Sequence, residues 1–470
     1  MNRLNQQLLR AWAGLGSRFL PFADAATPDL PLSKLLRLSL FQVSVGMAVV
    51  LLVGTLNRVM IVELGVPASL VAVMIAMPLV FAPFRALIGF RSDTHASALG
   101  WRRVPYLWKG TMLQFGGLAM MPFALLVLSG GGNASQWPAW FGQLGAGLAF
   151  LLVGAGLHMT QTVGLALATD LAPVESQPKV VGLMYVMLLM GMIVSSLVFG
   201  ALLSDFTPAK LIQVIQGAAV VTIVLNIAAM WKQEKRNPSR NSGAVKEQSF
   251  RDSWDSFCQG GNAVRRLCAV GLGTMAFSMN DILLEPYGGQ VLQLSVAATT
   301  KLTATLAVGG LLGFGLASRV LSRGADPFRM AGYGALAGIP AFLAVIFAAP
   351  ADSPILFAFG TMLIGFGAGL FGHGTLTATM NLAPKNQTGL ALGAWGAVQA
   401  SAAGLAVAMG GIIRDVVASM AEQDRLGHAL NVPATGYIFV YGIEVVMLCA
   451  TLIALAPLVR RIAPVAALSR

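Results

Sequence analysis

Ionisable side chains stand inside long apolar runs of the sequence, among them Arg58, His158, Asp281, Glu285, His373 and Glu444. A charge at membrane depth is expensive, so each is a candidate for function by default. Arg58 falls near the end of the first run, and Asp281 and Glu285 fall near the end of the seventh. The i, i+4 spacing of the two acids sets them on one helix face. Two chemistries suit the trio: an ion pair of Arg58 with Asp281 or Glu285 that closes a seam between helices, or proton or ion coupling in a carrier. Glu444 lies deeper, and either pairs with Arg414 or is held protonated. Arg85 is close enough to the end of its run to snorkel.

Of four histidines, His95 and His428 fall in loops, while His158 and His373 fall within apolar runs. At 1.5 Å per residue they lie roughly 18 Å from Asp170 and roughly 12 Å from Asn381 along their helices. A neutral imidazole there can be a hydrogen-bonded packing group, a proton carrier or an axial ligand for a tetrapyrrole metal. Cys258, Cys268 and Cys449 have neither CxxC spacing nor an evident partner, and read as packing residues. The sequence contains no P-loop, nucleophile elbow, HExxH or dinucleotide fingerprint. An enzyme is not expected.

Those side chains must be positioned by membrane helices. Apolar residues make up 56% of the 470 residues and charged residues 11%, a balance suited to a lipid-covered surface. A hydrocarbon layer of about 30 Å takes roughly 20 apolar residues in a helix. On that measure spans are expected near 36–60, 68–90, 106–128, 139–166, 180–203, 210–231, 266–287, 296–318, 328–349, 354–379, 388–413 and 434–458. The net charge of +12 follows the spans instead of forming a nucleic-acid face. Arg3, Arg10, Arg18, Arg37, Arg102, Arg103, the Lys232–Arg266 cluster, Arg319, Arg323, Arg460 and Arg461 share one side. Arg58, Lys210, Lys301, Arg414 and Arg425 lie toward the other. That asymmetry predicts both termini in the cytoplasm.

The fold expected is all-α and integral to the membrane, of major facilitator type, with twelve helices in two six-helix pseudo-repeats. A cytoplasmic segment (1–35) precedes the first half (36–231). A cytoplasmic linker (232–265) leads to the second half (266–458) and a cytoplasmic tail (459–470). The repeat is visible in HMTQTVGLALATDLAP from His158 and FGHGTLTATMNLAP from Phe371. Aligning their DLAP and NLAP ends sets His373 opposite Thr162, so a symmetric histidine pair is not expected. Leu4, Leu8, Trp12, Leu15 and Phe19 recur at helical spacing and predict an amphipathic surface helix. Glycines at 154, 156, 365, 367, 369, 372 and 374 either let helices pack closely or open a gap for something flat.

Several stretches together resemble the PucC/LhaA family, the bacteriochlorophyll-delivery branch of the major facilitator superfamily in purple phototrophic bacteria. They are RFLPFADAATPDLPLSKLLRLSLFQVSVGMA from Arg18, LNRVMIVELGVPAS from Leu56, PFRALIGFRSDTHASALGWRRVPYLWKGT from Pro83, HMTQTVGLALATDLAP, and FSMNDILLEPYGGQVL from Phe277. Within the third, Gly89, Asp93, Arg102 and Arg103 resemble a stretched form of the superfamily's signature loop; the stretch from Gly315 to Arg329 is degenerate. The resemblance implies assembly of light-harvesting antenna complexes in the inner, intracytoplasmic photosynthetic membrane, without catalysis. The implied cofactor is bacteriochlorophyll a, with His158 or His373 as candidate magnesium ligands and Glu444 as an alternative. The implied partners are antenna α/β polypeptides, bacteriochlorophyll synthase or reaction-centre assembly components, and membrane lipid, with no nucleic acid. The competing readings are an ion-coupled carrier of a small solute using Arg58, Asp281 and Glu285, and a scaffold that holds antenna helices without touching pigment.

Overall fold

The computed structural model describes residues 30–80, 88, 92, 100–130, 136–173, 176–234, 263–381 and 388–459. The expected amphipathic segment, most of the linker, the tail beyond 459, Gly89 and Asp93 lie outside them. Every described element is helical: α1 (Leu32–Glu63), α2 (Ala68–Val80), α3 (Val104–Leu128), α4 (Ala139–Leu171), α5 (Gln177–Leu202), α6 (Pro208–Met230), α7 (Val264–Gln290), α8 (Val296–Leu321), α9 (Pro327–Ala348), α10 (Pro354–Asn381), α11 (Thr388–Glu422) and α12 (Thr435–Leu455). Eleven of these are long and apolar enough to cross a membrane, and α2 is a shorter apolar helix as far as it is described. This is a multi-pass membrane protein. Helices are what the sequence permits there, because each satisfies its backbone polar groups without water.

Each expected span overlies a helix. The helices outrun the hydropathy at two places: α4 continues to Leu171 and α11 to Glu422. The added turns carry Asp170 in one and Arg414, Asp415 and Glu422 in the other, residues that a hydropathy window excludes. Helix starts are marked by local chemistry: Thr207, Ser295 and Asp326 each accept a backbone N–H two or three residues on.

We call the end at which α1 begins the near end, and the end at which it stops, at Glu63, the far end. The first six helices and the last six are joined where α2 packs on α11, α5 on α8, and α1 on α7 and α8. Glycine allows the closest of the crossings. A Cβ on Gly309 or Gly313 of α8 would meet the α10 backbone at Met362 and Phe366, and one on Gly411 of α11 would meet Ala68 and Ala72 of α2.

Two helices are irregular, and they occupy equivalent places. α1 is π-helical over Val50–Leu56 and Val59–Glu63. α7 is α-helical to Ser278, tightens to a 3-10 turn over Met279–Ile282 and resumes at Leu284. Such departures concentrate at functional positions, and here they fall on the first helix of each set of six.

Candidate functional site

The acids expected on one face of α7 are separated by its break, because the 3-10 turn and restart shift the helical phase between them. Asp281 faces a cavity of ≈ 260 Å³ between α5, α7, α8, α10 and α11. Glu285 does not line that cavity, is 3% exposed, and accepts a hydrogen bond from Thr303 of α8.

Glu285 belongs to a seam at the far end. Its carboxylate occupies the notch at Gly54 of α1, while the Arg58 guanidinium lies against Gly289 of α7, where an added Cβ would stand 3.2 Å from Nε and Nη2. Each helix thus offers one charged side chain and one glycine, four residues apart, and the two sets interlock. The partner of Arg58 is a correction to the sequence reading. Its Nη1 pairs with Glu63, not Asp281, and its Nη2 donates to Leu294 O at 3.1 Å. The π turns explain this, since i→i+5 bonding stacks residues five apart over one another. Asn57 donates to Ile282 O at 2.8 Å, and Ser69 N donates to Asp415 at 2.7 Å, so backbone and side chain both close this end.

The cavity lies nearer the middle and is built of different material. His373 and Gly372 of α10, Phe314 and Gly310 of α8, Tyr185 of α5, and Trp395 and Gln399 of α11 line it with Phe277 and Asp281. The His373 ring sits on Phe314 with centroids 4.3 Å apart, and Phe314 in turn meets Tyr185 across the two halves at 6.3 Å. Trp395 Nε1 donates to Thr375 Oγ1 at 3.2 Å, tying α11 to α10 beside the histidine. The glycines divide between the two expected roles. A Cβ on Gly365 or Gly369 would meet the α8 backbone, whereas Gly372 faces open space.

His158 is on α4, half-buried, and does not line this cavity. The structure therefore does not bring the two histidines together. Glu444 is fully buried behind the cavity wall, where it accepts hydrogen bonds from Asn280 N and Nδ2 at 2.7 and 3.2 Å. It does not pair with Arg414, whose bonds go to Asp415, Gln290 and Tyr437. Walled off in this way, it is out of reach as a pigment ligand.

Of the signature-loop residues, Arg102 and Arg103 hold Asp170 at the near end of α4, at 2.5 and 3.0 Å, and Arg103 also donates to Ser92 at 2.6 Å. Glu234, just past α6, accepts the N–H groups of Arg102, Arg103 and Val104 at 2.8 to 3.2 Å and so caps α3. The sequence reading missed Glu63, Asn280 and Glu234 as partners. Only Glu63 carried a signal, its closeness to Arg58.

Comparison with known proteins bears on what this arrangement serves. Residues 55–463 match the model of the family described as PUCC protein. The chain is 66% identical over 420 residues to Protein PucC of Rhodovulum sulfidophilum, covering 89% of this chain and 92% of that one. It is 58% identical over 460 residues to Protein PucC of Cereibacter sphaeroides, covering 98% of each. A more distant relative, 27% identical over 399 residues, covering 82% of this chain and 88% of that one, is named Bacteriochlorophyll synthase 44.5 kDa chain of Rhodobacter capsulatus. Among solved structures, the nucleoside transporter NupG superposes with a TM-score of 0.66 at 13% identity, covering 90% of this chain and 99% of that one. An inward-facing, occupied bacterial homologue of the lysosomal transporter Spinster gives 0.65 at 13%, covering 92% and 98%. At such identities the likeness concerns the fold, which is that of major facilitator-type transporters.

Proposed function

This chain belongs to the PUCC protein family, and from that premise we propose that it is an assembly factor for bacterial light-harvesting antenna complexes, binding bacteriochlorophyll a or handing it to antenna α/β polypeptides. It works, on this reading, in the photosynthetic inner membrane with both termini cytoplasmic, and without catalysing a reaction. The observation that carries the reading is the placing of His373: an imidazole against the Phe314 ring, in an apolar cavity at the meeting of the two halves. The relative named as a bacteriochlorophyll synthase chain supports pigment as the cargo.

The residues fit the pigment in kind. Its magnesium would accept a nitrogen donor such as a neutral imidazole. His373 would be that donor, Phe314 would hold the imidazole in place, and Gly372 leaves open space beside it. Leu306, Ile364 and Leu376 offer apolar contact. Size limits the fit: ≈ 260 Å³ lies below the roughly 300–1,000 Å³ of pockets that enclose drug-sized ligands. A cavity of that size would enclose only part of such a pigment, which suits a site that hands its cargo on.

The test is colour. Purified in mild detergent from a pigment-making host, the protein is expected to carry bacteriochlorophyll whose absorption shifts when His373 is replaced by Leu. A colourless protein would overturn the pigment reading and leave a scaffold that holds antenna helices alone. The sealed far-end seam favours one rival, an ion-coupled carrier of a small solute, since closure at one end is what alternating access requires. Proton-driven solute flux into vesicles, abolished by changing Glu285, would support that rival.

A further inference from the structure

Behind the cavity wall, α7 is fastened to α12 by a group of side chains that lacks one hydrogen. Asn280, Tyr441 and Glu444 are each 0% exposed. Glu444 Oε1 accepts from Asn280 N and Nδ2, and the same Nδ2 also donates to Phe277 O at 2.9 Å. Three atoms remain without a partner: Glu444 Oε2, Asn280 Oδ1 and Tyr441 Oη. With Glu444 ionised, these three oxygens would share a single O–H, that of Tyr441.

The neighbouring donors are committed elsewhere. Tyr287 donates to Val345 O at 3.1 Å, and Tyr437 to Gln290 Oε1 at 2.6 Å. Arg414 serves Asp415, Gln290 and Tyr437. The titratable groups felt by Glu444 and Tyr441 are Asp281 and Tyr287 on α7 and Tyr437 on α12, none of them a cation. A bare carboxylate here would carry the full cost of burying a charge beside an unsatisfied amide oxygen.

We propose that Glu444 is a proton-binding site, whose proton on Oε2 donates to Asn280 Oδ1 and closes a paired acid–amide bridge between α12 and the broken turn of α7. The Oε1–Nδ2 bond joins the carboxyl to the amide, and Oε2 and Oδ1 are the atoms of these two groups left without a partner. Asn280 adjoins Asp281 and lies three residues from Phe277, both in the cavity wall. Holding the proton fixes that wall; losing it sets two lone-pair oxygens against each other and loosens α7 at its break.

The experiment combines infrared difference spectroscopy with melting curves on the full chain. Glu444→Gln supplies an N–H where the proton stood, so it should melt close to the parent and lose any change in melting between neutral and alkaline pH. Glu444→Ala should melt several degrees lower at every pH. The parent-minus-Glu444→Gln infrared spectrum should contain the C=O stretch of a neutral carboxylic acid, shifted in D2O. Absence of that band overturns the proposal even if the variant folds poorly. So does a Glu444→Gln protein as unstable as Glu444→Ala. Stabilisation of the parent, but not of Glu444→Gln, by sodium over choline chloride would overturn it in favour of a bound monovalent cation.

Discussion

At the far end the two halves meet through Arg58, Glu285 and the glycines that receive them. Nearer the middle they meet through Tyr185, Phe314 and His373 around a gap. One crossing is filled and polar, and the other is hollow and aromatic. The filled one resists opening because separation breaks the hydrogen bonds of Arg58 with Leu294 O, Asn57 with Ile282 O and Ser69 N with Asp415, and pulls Arg58 and Glu285 out of the glycine notches that receive them. Among the described residues, the contacts seen between the halves at the hollow one are ring contacts such as Tyr185–Phe314, each worth of order 1 kcal/mol. On this contrast the near end is expected to part before the far end does, and His373 is the imidazole that lines the cavity among the described residues.

If that contrast is right, its largest signature comes from the seam. Arg58→Ala should lower unfolding stability in detergent by about 3 kcal/mol, the low end for removing one partner from a buried pair, because Glu63 is 38% exposed and recovers some hydration. Exchanging Arg58 and Glu63 should recover only part of this, since the exchanged arginine would not reach Leu294 O. A loss under ~1 kcal/mol for Arg58→Ala would show that the Arg58 contacts do not hold the seam. The next effect separates packing glycines from the cavity glycine. Gly369→Ala drives a methyl into Gly310 O and Phe314 N and should cost about 1–3 kcal/mol, whereas Gly372→Ala meets open space and should cost almost nothing while reducing pigment binding. Equal losses in the two melting curves would erase the distinction. Third, His373→Leu should lower pigment per protein by at least about tenfold with little change in melting, and His158→Leu should leave pigment in place. Retention of pigment by the His373 variant, with loss in the His158 variant, would move the site to α4.

The fold was legible because long apolar runs and basic flanks leave few alternatives: each expected span overlies a helix. The candidate site was legible only as types of residue. Asp281 and Glu285 were expected to act together from their spacing, and that rule fails because it assumes an unbroken α-helix, while α7 changes pitch between them. Arg58 was assigned a partner on another helix for the complementary reason, since the π turns that bring Glu63 onto its face have no sequence signature of their own. His158 and His373 looked equivalent in composition. What separates them is lateral packing, the apposition of α5, α8 and α11 to α10, which no single stretch of sequence encodes.

The smallest expected effect tests whether the near end is pinned within one half, as the contrast requires. Glu234 takes up the three N–H groups at the start of α3, where no N-cap side chain serves, and Asp170 holds Arg102 and Arg103 beside it. These residues lie in or directly beside the first six helices, so this cluster should stabilise that half without resisting separation of the two. Glu234→Ala leaves those N–H groups to water and should cost about 1 kcal/mol, in the range of a lost helix cap. Glu234→Gln keeps one acceptor oxygen and loses the charge that favours a helix N-terminus, and should cost about 0.3–1 kcal/mol, shrinking further in high salt. Neither variant should alter pigment content, because the capped turn lies apart from the cavity-lining residues. A pigment loss in Glu234→Ala matching that of His373→Leu would show that the near-end cluster governs opening, and the division between a sealing far end and a free near end would have to be redrawn.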